Sequence, residues 1–448
     1  MTYLFSSNTV ITNEVEIKNE SGNAISTRVF SNNAFVTSAN PFPVTVITAE
    51  NSAANFEFTS KNRLKVSTFQ TVFFNTFQYG KESDVWDETV TNGAASTFNA
   101  NNSAILLSVS STAGSEVVRQ TRNVQRYING RTSTLNFAVR MEMPTIGIRR
   151  RFGLYDTSDG CYFEDAGDGT YYCAIRSSFT GSTVDTRLAR ADWNGDRLDG
   201  TGPSGIVADP EAIQMFGVEY EWYGAGRVKF VYNIAGATYT IHTFYTANIL
   251  HGPWSSTPFL PIRMEMKNVT GAAGTHYMWQ GSNSLISEGV PEKLGSPQNI
   301  MSPIGGTTLT TKDTFYPVIS IRLKPGALRG IVLPTFCQVA TLDNTSLYYQ
   351  IVKNATLTNS NFVDMPDTNA FTQYDTSATA MNLGTGTVVD SGFVVGAGAF
   401  GRITLDKDTT YQIGRGSMGT TSDVLTVAIA STLANKAGLA SMTWIEQR

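Results

Sequence analysis

Asp192, Asn194, Asp196 and Asp199 crowd eight positions of the stretch ARADWNGDRLDGTGPSG, residues 189–205. Oxygen ligands at alternating positions are what a calcium loop supplies. An EF-hand also needs glycine at its sixth position and glutamate at its twelfth. Counted from Asp192, those positions hold Arg197 and Pro203. The metal reading that remains is a non-EF calcium site on these four residues. The competing reading is a turn in which Asp and Asn accept from their own backbone amides and the glycines take positive φ. On that reading Asp196 and Asp199, which flank Arg197, clasp it as well.

The stretch FGVEYEWYGAGRVKF, residues 216–230, reads as strand, glycine-rich turn, strand. Glu219 and Glu221 are two apart and share one strand face, opposite Val218, Tyr220 and Trp222. A carboxylate pair beside aromatic rings is the equipment of a retaining glycosidase, whose acid and nucleophile stand ~5 Å apart. A sandwich hydrolase of that kind wants a third acid on the same face, and position 223 is tyrosine. The plainer expectation is ion pairing to Arg227 or Arg263 across the sheet, with Tyr220 and Trp222 in the core.

Residues 153–178, GLYDTSDGCYFEDAGDGTYYCAIRSS, carry two turn signals, SDG and GDG, and so two hairpins. Tyr155, Tyr162, Phe163, Tyr171 and Tyr172 either line a sugar-stacking groove or fill a core, and the core is the default for strand aromatics. His242, in TYTIHTFY, alternates with apolar residues and reads as a packed, hydrogen-bonded histidine. Cys161, Cys173 and Cys337 read as buried thiols, with a Cys161–Cys173 bridge as the alternative. The sequence has no G-x-S-x-G, P-loop or H-E-x-x-H motif. No cofactor, no catalytic residue and no enzyme activity are therefore expected.

The elements that must position these groups are strands. No segment repeats apolar residues at helical spacing, whereas alternating runs such as LKVSTF, TLNFAVRMEM, RVKFVYNI, PVISIRLK and VLTVAIAS recur between Gly, Asn, Asp and Pro. The expectation is an all-β chain with a large jelly-roll-type β-sandwich over 82–290. A linker over 291–311 leads to a smaller β-sandwich over 312–448. Residues 1–80 are polar and read as an extended N-terminal attachment arm.

Charged residues are only 16% of the 448 positions and the net charge is −4. The one basic run, Arg149-Arg150-Arg151, is too short for nucleic acid. No apolar run reaches the length of a membrane span, and the first twenty residues lack the pattern of a signal peptide. A weakly charged surface suits a protein that buries much of itself against partners.

The strings LYDTSDGCYFED, AIRSS, ADWNGDRLDGTGPSG, EYEWYGAGRVKF, PIRMEM and SEGV follow one another in this order. YPVISIRLKPG, RGIVLP, QYDTSATA and WIEQ follow them. Together they resemble a group of tailed-bacteriophage virion structural proteins, of the kind found in cyanophages and other marine phages. VEIKNESGNAIS resembles an attachment arm of that group. The match covers most of 150–448 and weakens between 30 and 80. The resemblance implies a tail, baseplate or fibre-associated component, made in the host cytoplasm and resident in the virion. It would be bound to other virion proteins and to copies of itself, as in a trimer. A capsid or collar decoration protein and a host-surface carbohydrate-binding protein are the alternatives.

Overall fold

The computed structural model describes residues 15–18, 24–27, 68–289, 294–396, 400–404 and 411–447. The chain divides into two compact units, Met1–Val66 and Ser67–Arg448. In the first, β1 (Val15–Lys18) and β2 (Ala24–Thr27) pair as an antiparallel hairpin with Val15 opposite Thr27. The rest of the expected attachment arm, up to residue 67, lies outside the described residues.

The second unit is all β, as its alternating sequence requires. In chain order its first fifteen strands are β3 (Phe69–Asn75), β4 (Trp86–Thr91), β5 (Ala95–Asn99), β6 (Ala104–Val109), β7 (Glu116–Thr121), β8 (Ser133–Arg140), β9 (Ile148–Tyr155), β10 (Gly160–Asp165), β11 (Tyr171–Ser177), β12 (Val184–Ala189), β13 (Gln214–Tyr220), β14 (Val228–Ile234), β15 (Ala237–Phe244), β16 (Ile262–Asn268) and β17 (His276–Glu288). They form a seven-stranded sheet, β12-β11-β10-β9-β16-β7-β4, and an eight-stranded sheet, β15-β14-β13-β8-β17-β6-β5, in which β3 also pairs with β17. All the ladders are antiparallel. Residues 69–75, expected in the arm, thus belong to this sandwich, because Phe69–Asn75 satisfies its backbone on β17.

The two large sheets are held face to face by rings. Phe152 and Phe163 stack with centroids 5.2 Å apart, and Phe216 from the opposite sheet sits 5.4 Å and 4.8 Å from them. Phe230 meets Phe163 edge-on at 4.8 Å. Alternation sends their neighbours to the outer face, so the core residues of β9 and β10 are Ile148, Phe152, Leu154, Cys161 and Phe163. Cys161, Cys173 and Cys337 are buried and unbridged.

A smaller sandwich follows. One sheet contains Ser296–Met301, Thr307–Leu309, Ile331–Thr341, Phe400–Thr404 and Lys436–Gln447. The other contains Tyr316–Leu323, Leu347–Lys353, Val363–Asp364, Thr372–Asp375, Thr387–Val394 and Val424–Ser431. The stretch 291–311, expected as a linker, is corrected here: Ser296–Met301 and Thr307–Leu309 both pair along the last strand, where Pro297 and the turn residues still leave enough donors for a ladder.

The sandwiches are bolted together. Arg329 Nη1 donates to Asp159 (2.7 Å) and its Nη2 to Asp156 (2.9 Å). Arg122 pairs with Asp423 at 2.7 Å, and Gln412 Nε2 donates to the carbonyl of Val124. Ile331 and Leu333 of the smaller sandwich join the larger core.

Phe163 touches both sheets, so removing its ring leaves a cavity that neither can fill. Phe163→Ala should cost about 3–5 kcal/mol of unfolding free energy by denaturant titration. A loss under about 1 kcal/mol would show that the rings are not what joins the sheets.

Candidate functional site

The rings that join the sheets also floor a cavity. At the end of β10 the chain turns through Asp168 into β11, and Thr170 N donates to Asp168 Oδ1 at 2.9 Å. After β12 it crosses the open end of the sandwich as the loop 190–213 before entering β13. Between hairpin and loop lies about 460 Å³ of empty space, its open mouth included. Phe152, Phe163 and Phe216 form the floor; Tyr171, Tyr172 and Trp193 form the walls. Glu164, Asp165, Arg190 and Gln214 contribute polar groups.

Trp193, Tyr172 and the loop over them are fixed by specific bonds. Trp193 Nε1 donates to the Leu188 carbonyl at 3.1 Å. Arg190 Nε donates to the Arg197 carbonyl at 2.5 Å, and its Nη2 reaches the Leu198 carbonyl, which draws the loop over the cavity. Tyr172 donates to Asp168 (2.9 Å), and the Arg187 guanidinium lies 4.1 Å from its ring centroid. Asp165 binds Arg150 Nη1 at 2.7 Å with both side chains buried; burial nevertheless raises the carboxyl pKa above its ordinary value. The Tyr171 hydroxyl is buried and has no hydrogen-bond partner. Burial also pushes its pKa up to about 12, so it stays a neutral donor.

The 192–199 loop, the candidate for calcium, helps to build this cavity through Trp193 and Leu198. Asp196 is buried and accepts from the amides of Leu198 (2.8 Å) and Ser204 (2.7 Å). Asn194 exchanges two hydrogen bonds with the backbone of Thr243 on β15, each 2.8 Å. Asp199 accepts from the amide and hydroxyl of Thr201. Asp192 sits exposed in the short turn Arg190–Asp192. Among the described residues no group of three or more acids, histidines or cysteines is placed to hold a metal. The expected clasp on Arg197 is replaced by backbone bonds, because Asp196 points into the loop's own centre.

Glu219 and Glu221 lie elsewhere, on the outer face of the eight-stranded sheet. Glu219 pairs with Lys229 at 2.6 Å, directly across the β13–β14 ladder, and Glu221 accepts from Thr132 at 3.1 Å. The expected partner Arg263 belongs to the other sheet and bonds Gln120 and Glu265. His242 is buried, accepts from the Asn194 amide, and packs edge-on to Phe244; burial lowers its pKa to about 4.

The sequence reading missed a second cluster. On the outer face of the seven-stranded sheet, Arg151, Glu164, Arg176, Asp185, Arg187 and Glu265 interlock around Tyr155 and Tyr162. Arg151 and Arg187 both bind Glu164, at 2.7 Å and 2.5 Å, and Arg176 holds Asp185 through two nitrogens. Gly153 makes room for this row, since a β-carbon there would meet the Cys161 carbonyl at 2.2 Å. The signal was the period of two in RFGLY, CYFED and IRMEM, whose second face is charged or tyrosine.

No family model matches the sequence, and no curated protein matches it. Several solved structures are similar in part. A glycoside hydrolase family 16 endo-glucanase from Bacteroides ovatus is 11% identical, with a TM-score of 0.31 over 48% of this chain and 99% of that one. A glycosyl hydrolase family protein from Mycobacterium fortuitum is 8% identical, with a TM-score of 0.33 over 48% and 99%. The CBM2 module of the evolved Dit of Lactobacillus casei BL23 phage J-1 is 11% identical, with a TM-score of 0.31 over 50% and 99%. These likenesses concern the β-sandwich form and assign no substrate. They do correct one expectation. The chain was expected not to be an enzyme, yet the structures it is similar to include glycoside hydrolases, so this architecture gives no ground for setting catalysis aside. The likeness to phage virion proteins rests on the sequence motifs.

Acid stability follows from the outer cluster. Burial alone would raise the pKa of Glu265, but the guanidiniums of Arg263, Arg149 and Arg151 override it and hold it at about 2, against 4.5 for the free side chain. A depressed folded-state pKa contributes stability that is present above 4.5 and lost as the pH falls toward 2. The urea midpoint should therefore drop across that window, and Glu265→Gln should start lower at neutral pH and drop less steeply. Identical slopes in the two proteins would refute the assignment.

Proposed function

We propose that this chain binds carbohydrate in the cavity at the end of the larger sandwich, and does so as a component of a bacteriophage particle. The observation that carries the binding reading is an aromatic-walled cavity ringed by charged groups, with Tyr171, whose buried hydroxyl has no hydrogen-bond partner, in its wall. A pyranose ring has apolar C–H faces and a belt of hydroxyls. Phe163, Phe216 and Trp193 suit the faces; Tyr171, Arg190 and Gln214 suit the belt. A buried hydroxyl left without a partner costs about 1–3 kcal/mol, which a sugar hydroxyl would recover.

The particle setting is supported by the order of the matched strings over 150–448. Within the particle, a tail, baseplate or fibre-associated position joins both parts of the reading, since host glycans are met there first. Capsid or collar decoration is the competing position.

The binding test is titration calorimetry against a panel of host-envelope polysaccharides. Tyr171→Phe removes only the hydroxyl and should weaken binding about threefold to tenfold without lowering the melting temperature. Tyr172→Ala should weaken it about tenfold or more. No binding by the wild type, or equal binding by both variants, would end the carbohydrate reading. The setting is tested separately by mass spectrometry of purified particles, from which peptides of this chain must not be missing.

A further inference from the structure

The aromatic cavity at the end of the larger sandwich spends most of its polar atoms on the protein itself. Glu164 accepts from Arg151 with one oxygen and from Arg187 with the other. Asp165 accepts from Arg150 at Oδ2 and from the Gly167 amide at Oδ1. The Tyr172 hydroxyl donates to Asp168, and the Trp193 indole nitrogen to the Leu188 carbonyl. Arg190 Nε and Nη2 donate to the carbonyls of Arg197 and Leu198, and Gln214 Nε2 to that of Asp209.

Between these groups the lining is carbon, from Met141, Phe163, Leu198, Ala208, Pro210 and Phe216. What the lining residues have left for a guest is the Tyr171 hydroxyl, Arg190 Nη1 and Gln214 Oε1. The Arg190 guanidinium lies 5.7 Å from the centre of the Tyr171 ring, so the two residues with a donor to offer are neighbours.

That remainder decides what can enter. A plain hexose has a hydroxyl on nearly every ring carbon, and each one buried without a partner costs about tenfold in affinity. A charged substituent would meet carboxylates and guanidiniums that already answer one another, and its own charge would be buried unpaired. An acetamido group meets both conditions. Its methyl suits carbon walls, its carbonyl oxygen accepts from up to two donors, and its N–H needs one acceptor.

We propose that the sugar taken here is an N-acetylated amino sugar whose acetamido group enters the cavity, with the rest of the ring toward the open mouth beside the half-buried Tyr172. The inference rests on the carbohydrate reading of this cavity and narrows it to one class of sugar.

The test is saturation-transfer NMR and affinity measurement on the full chain with matched methyl glycosides: N-acetylglucosamine against glucose, N-acetylgalactosamine against galactose, N-acetylmannosamine against mannose. In one pair or more the acetamido member should bind about tenfold tighter or better, with its acetyl methyl protons the most strongly saturated. Ala208→Leu adds carbon to the lining and should cut that preference about tenfold. If Ala208→Leu does not fold, Tyr171→Phe decides; it should narrow the gap within the pair about threefold or more, because the acetamido carbonyl loses a donor. Hexoses that bind as tightly as their acetamido partners, or ring protons saturated more strongly than the methyl, overturn the inference and leave the carbohydrate reading standing. So does a protein that binds a host polysaccharide and none of these glycosides. A preference unchanged in both variants places the acetyl group elsewhere and overturns it too. Silence from the glycosides and from every polysaccharide ends both readings together.

Discussion

Phe152, Phe163 and Phe216, packed within 5.4 Å of one another, set the spacing of the two large sheets, and the rest of the larger sandwich inherits it. Aromatic rings are wide and stiff, so three in contact prop the sheets apart by a fixed amount. The sheet ends then cannot close on each other. The loop after β12 is drawn across the gap by Arg190 and Trp193, and a cavity with an aromatic floor results. Core packing and cavity floor are here the same side chains seen from two sides.

Charge is scarce in this chain and is concentrated rather than spread. The outer face of the seven-stranded sheet gathers arginines and carboxylates into one interlocked array, and the junction with the smaller sandwich extends it through Arg329 and Arg122. Buried ion pairs add little net stability, but breaking one is costly, so they define geometry more than they strengthen it. Asp159 illustrates this: buried, it accepts from Ser178, Ser256 and Arg329 and so fixes three separate segments to one point. Arg415, at the same junction, is buried with its Nε and Nη2 lacking hydrogen-bond partners.

Local chemistry was legible where it acts over a few residues. Asp196 and Asp199 bond amides two positions on, as their turn sequence implied, and His242 is packed and hydrogen-bonded. Pairings across the sheet were less so. Glu219 meets Lys229 and not Arg263, because ladder register puts Lys229 directly opposite while Arg263 belongs to the other sheet. Tyr155 and Tyr162 lie on the outer face and Phe163 in the core, although all three sit in one short run; the parity of a strand decides that, and parity depends on where the strand starts.

From its residues alone, then, this chain was bound to be a β protein with short turns, since period-two alternation punctuated by Gly, Asn and Asp admits no other regular structure. What folding alone decided is which strand ends meet. Phe163 and Phe216 are far apart in sequence and come from different sheets. Contacts of that range are set by sheet order and sheet stacking, for which neither composition nor spacing carries a code, so the cavity came into view only once the sheets were in place.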